Sequence, residues 1–265
     1  MLKQLLKNAV SAFGFEIQRK RDPILPFIHS IKLDNHQLEF WITNPHTKSW
    51  WHRPELKLNG ELRMLKNLCK PGDIVFDVGA HHGMLSLAFS LWTGPEGHVF
   101  SFEANPENAL TLQANMFSNK ISNCSCYFTA IGDHTGSINI SGESADPNGD
   151  HGRETPMTAL DHFCEINQID RVNLVKIDVE GFELQVLEGA RRLLSGNPKL
   201  AIEIHQDHLK NFDASAKKIF ELVDIERYDA FMLVRQESWE EIIEFSNVAD
   251  LPDTGVINVF LEPRD

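Results

Sequence analysis

Ile74-Val75-Phe76-Asp77-Val78-Gly79-Ala80-His81-His82-Gly83 decides how this chain folds, because it joins an apolar run to an acid and a turn bracketed by two glycines. Ile74, Val75, Phe76 and Val78 suit a parallel strand covered on both faces. Gly79 and Gly83 let the backbone turn sharply and approach a ligand closely. Residues 84–91 continue as an apolar helix. Strand, turn and helix together predict a nucleotide-like ligand at the carboxyl end of the first strand of an open α/β sheet. A dinucleotide fits poorly, since G-x-G-x-x-G needs an intervening glycine and Ala80, His81 and His82 supply none.

The same grammar recurs outward from this stretch. Residues 98–103 form a second apolar strand ending in Glu103. It lies about 20 residues beyond the glycine turn, where a carboxylate can accept hydrogen bonds from both ribose hydroxyls. Residues 125–131 read as a third strand that brings Asp133 to the adenine edge. Residues 173–177 read as a fourth, carrying Asp178 and Glu180 at its end and followed by a helix over 182–194. Residues 199–205 are a fifth, with Glu203 and His205, and residues 255–261 a last one. Alternation places Asp178 and Glu180 on one face of their strand and Glu203 and His205 on one face of theirs. If the strands are neighbours, these groups converge at the ligand edge. A plainer reading pairs Lys176 with Asp178 and makes His205 a helix cap.

Five segments appear in a recognisable order over residues 60–205. They are Val75-Phe76-Asp77-Val78-Gly79-Ala80, Phe102-Glu103-Ala104-Asn105-Pro106, Met157-Thr158-Ala159-Leu160-Asp161, the long run Leu174-Val175-Lys176-Ile177-Asp178-Val179-Glu180-Gly181-Phe182-Glu183 with Val186-Leu187-Glu188-Gly189-Ala190, and Glu203-Ile204-His205. With these the chain resembles the FkbM-type methyltransferases. The resemblance implies a class I methyltransferase fold, a Rossmann-like doubly wound α/β sheet of about seven strands. It also implies S-adenosylmethionine as methyl donor and O-methylation of a sugar, a glycan or another hydroxylated small molecule, as in polysaccharide biosynthesis. The donor residues are then Asp77, Gly79 and Gly83 at its amino acid end, Glu103 at ribose and Asp133 at adenine, with Ala80, His81 and Ala104 beside them. His81 stands where the family usually has asparagine, which alters a contact to the amino acid end. Asp178, Glu180, Glu203 and His205 are the catalytic candidates. Either His205 or a carboxylate serves as base, or Asp178, Glu203 and His205 bind a divalent metal ion that polarises the acceptor. Two other classes are a non-catalytic scaffold of glycan assembly that keeps the fold, and an NAD-dependent oxidoreductase.

The 265 residues predict one catalytic domain over 59–265 after an extension over 1–58. A formal net charge of −13 argues against a nucleic-acid partner. Four cysteines without a C-x-x-C pair give no zinc spacing and read as reduced thiols of a cytoplasmic protein. Leu2, Leu5, Leu6, Ala9, Val10 and Phe13 form one stripe of an amphipathic helix, with Lys3 and Lys7 on other faces. Such a helix either lies on a membrane, making the protein peripheral at its inner face, or packs on protein, including a second copy of the chain. Neither a spanning helix nor a signal peptide is indicated. Trp41, Trp50 and Trp51 are expected to line an acceptor cleft or to cover a core edge. Residues 141–155, rich in Gly, Ser and Asp, read as a mobile loop over the ligand edge.

Overall fold

The computed structural model describes residues 24–58, 60–236 and 239–264. The expected amphipathic helix of residues 2–13 lies outside the described residues. Among those described, no helix is long and apolar enough to cross a membrane.

The described residues open with β1 (Phe27–Leu33) and β2 (His36–Ile42), an antiparallel hairpin. Helix α1 (Pro45–Trp51) follows, then β3 (Glu55–Leu56), which pairs with β1 in parallel to close a three-stranded sheet. Helix α2 (Gly60–Leu68) leads into β4 (Ile74–Val78), α3 (Met84–Thr93), β5 (His98–Glu103), α4 (Pro106–Ser118) and β6 (Cys124–Phe128). Strands β7 (Ala130–Ile131), β8 (Gly136–Ser141), β9 (Ser144–Ala145) and β10 (Arg153–Thr158) make a separate sheet in the order β7-β10-β8-β9. Next come α5 (Leu160–Ile166), β11 (Leu174–Ile177), α6 (Glu183–Glu188), α7 (Arg191–Ser195), β12 (Lys199–His205), α8 (Gln206–Leu209) and α9 (Ala216–Leu222). The chain ends with β13 (Tyr228–Gln236), β14 (Trp239–Phe245) and β15 (Val256–Pro263).

The main sheet runs β14-β13-β15-β12-β11-β4-β5-β6, eight strands against the seven or so expected. From β12 to β6 all pairs are parallel, and β15 inserts antiparallel beside β12. Strand order reverses between β4 and β11, so a crevice opens outside their carboxyl ends, where such sheets take ligands. Alternation along the strands divides the core. Phe76, Val78, Ile177 and Ile202 face α5, α6 and α9, whereas Val75, Leu174 and Ala201 face α2 and α3. Ile31, Leu33, Phe40 and Ile42 of the N-terminal sheet pack on Met84, Leu87, Leu112 and Met116 of α3 and α4.

Three expectations change. The third strand stops at Phe128, and after Thr129, whose hydroxyl donates to Pro156 O (3.0 Å), the chain joins β10 of the small sheet. Residues 141–155 are not one loop: Asn139 and Asp146 tie the turns between β8, β9 and β10 through Gly149 O and His151 N. The helix over 182–194 is two helices, broken where Gly189 abuts Gly132; a Cβ there would come 2.0 Å from Gly132 O.

Candidate active site

The tip of β4 approaches the tip of β11 so closely that a Cβ on Gly79 would lie 1.8 Å from Asp178 O. Gly79 also has φ +79°, so only glycine fits both the space and the backbone. From Gly79 the turn is held by β5, whose Phe102 O accepts from the Gly79 and Ala80 amides. Glu103 completes this, accepting from His81 N and Asn105 N, each at 2.7 Å, with one carboxylate oxygen apiece. Asn105 then caps α4, its side chain accepting from the amides of Glu107 and Asn108. Gly83 at φ +83° lies against Leu112 and starts α3; it shapes the turn without lining the crevice.

The crevice is a cleft of about 970 Å³. Asp77, Gly79, Ala80, His81, Glu103 and Ala104 line one part of it, with Ile138, Ile140 and Glu143 of the small sheet over them. Asp178, Glu180, Glu203 and Lys176 line its floor, and Trp50, Trp51, Arg53, Glu55, Lys57, Glu61 and Glu240 also line it, with the Trp50 ring edge-on to His81 at 5.4 Å. Asp133 is elsewhere. The departure of the chain at Thr129 carries it to an exposed position, 2.8 Å from His134 and next to Asp161 and Arg192. Trp41 is also elsewhere, bonded through its backbone and indole to Asn115 and Ser118 of α4.

The floor is an acid cluster built on register. Asp77 and Lys176 are direct partners on β4 and β11, and Glu203 lies on the same face of the next strand. Lys176 Nζ sits 3.1 Å from Asp178 Oδ2 and 3.9 Å from Asp77 Oδ1. Burial disfavours its ammonium, but Asp178 and Asp77, with Glu203 and Glu61 beyond, outweigh that and hold its pKa above the usual lysine value. Asp77 is fully buried; its Oδ2 accepts from Ser86 (2.6 Å) and its Oδ1 has no hydrogen-bond partner. Burial, more than any neighbour, pushes its carboxyl up. Glu203 is raised to about 8 by burial and by Asp178 and Glu61.

His205 lies among these acids. It precedes α8 without capping it through its side chain. Its Nδ1 meets Glu183 Oε1 at 2.8 Å, and its Nε2 lies 3.3 Å from Glu180 and 4.0 Å from Asp178. Burial alone would push it down, yet the bond to Glu183 and the charges of Glu180, Glu183 and Asp178 hold it at about 9. It is therefore an imidazolium at neutral pH and a poor proton acceptor. Glu180 is not on the strand: at φ +54° it turns the chain with Gly181. Sequence reasoning passed over Glu183, which has no exposure; its place in the first turn of an otherwise apolar helix face was the available signal. It also passed over His82, buried between Thr47 Oγ1 (2.8 Å) and Asn108 Oδ1 (3.0 Å), whose carbonyl accepts from Asn115 Nδ2 (2.7 Å). This histidine fastens α1 to the glycine turn.

Comparison with known proteins places the geometry. The family described as the methyltransferase FkbM domain matches residues 77–245, well over half of the chain. The chain belongs to the FkbM methyltransferase family. It is an S-adenosylmethionine-dependent methyltransferase, and its mixed sheet with one antiparallel strand beside β12 is a class I methyltransferase fold. Among its relatives is the hexuronic acid methyltransferase AglP of Haloferax volcanii, 26% identical over an alignment of 194 positions, a match that covers 68% of this chain and 79% of AglP. Solved structures similar to this FkbM methyltransferase include the FkbM methyltransferase of Methylobacillus flagellatus KT, at 21% identity and a TM-score of 0.46. That match covers 73% of this chain and 44% of the other, so the chain spans less than half of that protein's length. An S-adenosylmethionine-dependent O-methyltransferase of Thermotoga maritima matches at 11% identity and a TM-score of 0.44, over 89% of this chain and 78% of the other.

Proposed function

We propose that this methyltransferase methylates a hydroxyl oxygen of a sugar or glycan, with the donor held between the glycine turn and Glu103 and the acceptor against Trp50 and Trp51. One observation supports the reading: Asp178 and Glu203 line the same cleft as the glycine turn, Glu103 and the two tryptophans, and Trp50 lies edge-on to His81 of that turn. The name of AglP, an enzyme of hexuronic acid, points the same way, and aromatic faces suit sugar rings.

The residues fit a cationic donor. Asp77 Oδ1 is an unused acceptor, and the carboxylates of the floor outnumber the Lys176 and His205 cations. Asp77, Gly79, Ala80 and His81 would hold its amino acid end, with Glu103 and Ala104 at ribose. Glu103 retains lone pairs beyond the two spent on backbone amides. When bound, S-adenosylmethionine supplies a methyl group on an excellent leaving group. The chain must align the acceptor oxygen and take its proton, and alignment supplies much of the rate. Glu203 is the base in this reading, because its raised carboxyl brings it close to working pH. Lys176 holds Asp178 in place, and the His205 imidazolium, oriented by Glu183, holds Glu180. Glu203→Gln should lower kcat roughly 10²–10⁴-fold, the range of a lost general base. Turnover at the wild-type rate would remove Glu203 from the chemistry.

A second reading has one observation in its favour. Asp178, Glu203 and His205 each offer a ligand atom within 4.8 Å of the others, and Glu183 orients the imidazole from behind as carboxylates do in metal sites. Against it, the Lys176 ammonium already occupies Asp178. Turnover that survives chelation supports the base; loss restored by Mn²⁺ supports the ion.

A further inference from the structure

Asp77 is held from behind by groups that do not reach the cleft. The residues lining the cleft include Asp77 but neither Ser86 of α3 nor Ser101 of β5, and all three are fully buried. Ser86 Oγ donates to Asp77 Oδ2 at 2.6 Å, and Ser101 Oγ donates to Ser86 Oγ at 2.9 Å. Ser101 Oγ also lies 3.3 Å from Cys124 Sγ on β6. The carboxylate fixes the direction of every proton in this row. An ionised acid only accepts, so Ser86 gives it its one proton and accepts in turn from Ser101. Ser101, its own proton already given, accepts from the Cys124 thiol. The donors all point toward Asp77, and each polarises the next.

This row decides which oxygen of Asp77 is left for a ligand. Asp77 and Ser101 are register partners on β4 and β5, and α3 starts directly from Gly83 of the turn, so the hydroxyls are set in place with the fold. With Oδ2 taken, Oδ1 is the oxygen without a hydrogen bond, 3.9 Å from Lys176 Nζ. A buried carboxylate oxygen without a donor is costly. The N–H groups of an ammonium would satisfy it with a charge-assisted bond. Burial favours the protonated acid, and the Lys176 charge and the Ser86 bond oppose it. Without Ser86 the carboxyl turns or takes up a proton, and either change removes Oδ1 as a charged acceptor.

We propose that Ser86 and Ser101 are positioning residues for donor binding, which hold Asp77 with Oδ2 occupied and Oδ1 reserved for the ammonium of the donor's amino acid end. The proposal rests on the placement of that end at Asp77 given above. Calorimetry on the full-length protein compares S-adenosylhomocysteine with 5′-methylthioadenosine, two thioethers that share the adenosine and differ by the amino acid. Asp77→Asn tests the placement alone and should weaken S-adenosylhomocysteine while sparing methylthioadenosine. Ser86→Ala should raise the S-adenosylhomocysteine dissociation constant roughly 10-fold and Ser101→Ala roughly 3-fold, the losses of a charged and of a neutral hydrogen bond, with methylthioadenosine unchanged. The double variant should bind no more weakly than Ser86→Ala, because Ser101 acts only through Ser86. Equal weakening of both ligands makes the hydroxyls part of the general packing and overturns the proposal. Unchanged S-adenosylhomocysteine binding, or additive losses in the double variant, overturns it too while leaving Asp77 at the donor. If Asp77→Asn binds S-adenosylhomocysteine like the wild type, the placement falls and the positioning role with it. Circular dichroism checks the fold of each variant, and Ser101→Ala, which leaves Asp77 its direct partner, decides the matter by the same comparison if Ser86→Ala does not fold.

Discussion

Replacing Lys176 with methionine keeps most of the side-chain volume and removes only the charge, which makes it the sharpest probe of the floor of the cleft. Lys176 is 5% exposed at its side chain, Asp77 0% and Asp178 30%. Water can reach Asp178 and compensate part of its loss, but Asp77 has no such recourse, and its Oδ1 already lacks a hydrogen bond. Removing one partner of a buried ion pair costs about 3–5 kcal/mol. With one of the two acids partly hydrated, the lower end, about 3 kcal/mol, is expected at pH 7.5. The pH dependence has a definite sign. Burial raises the folded-state pKa of Asp77 above its ordinary value, and loss of the ammonium raises it further. The folded variant then binds a proton that the unfolded chain releases, so relative to wild type it regains stability as pH falls, by up to about 1.4 kcal/mol per unit. Urea unfolding followed by circular dichroism at pH 7.5 and 5.5 reads both effects. Asp77→Asn in the same background should return much of the loss at pH 7.5. A variant within about 0.5 kcal/mol of wild type at pH 7.5, the scatter of an ordinary surface substitution, would refute the reasoning, and so would a deficit unchanged at pH 5.5.

Glu103→Ala should raise the donor dissociation constant roughly 10–100-fold, since it removes a charged acceptor and frees the amides of His81 and Asn105. Calorimetry with S-adenosylmethionine checks this, and an unchanged constant would sink the assignment to ribose. His82 makes the protein acid-sensitive. Burial, aided by His81 and opposed by its bond to Asn108, pushes it down to about 3, so the unfolded chain takes up its proton first as pH drops below 6.5. By pH 5 that amounts to about 2 kcal/mol of lost stability. His82→Asn should flatten this slope between pH 7 and 5, and a variant with the wild-type slope would contradict the linkage.

What the sequence made legible was local. An apolar strand, an acid and a glycine turn carry their meaning within ten residues, and Gly79, Ala80, His81, Glu103 and Ala104 do line one cleft. Asp178, Glu203 and His205 are brought together because β11 and β12 are neighbours, a pairing on which the sequence reading was conditional. Asp133 was misplaced because nothing in residues 125–131 signals that the chain changes sheets at Thr129; the competing partner, β10, pairs Met157 with Ala130 from 27 residues further on. Residues 141–155 look like a loop because their ordering comes from pairing across β8 and β10, which composition does not encode. The charge state of His205 was out of reach for the same reason. It depends on Glu183, which reaches the imidazole only once α6 folds back against the end of β12.

The seam around His82 bears on how this enzyme could be re-engineered. Thr47 of α1 grips the imidazole, and Asn115 of α4 binds both the His82 carbonyl and the Trp41 amide. The tryptophan wall and the glycine turn therefore share one set of bolts. Residues 24–58 cannot be exchanged between relatives as a self-contained cassette to change which acceptor is used. A working chimera has to carry matched partners at positions 82, 108 and 115, or the transplanted wall will sit loose over an intact donor site.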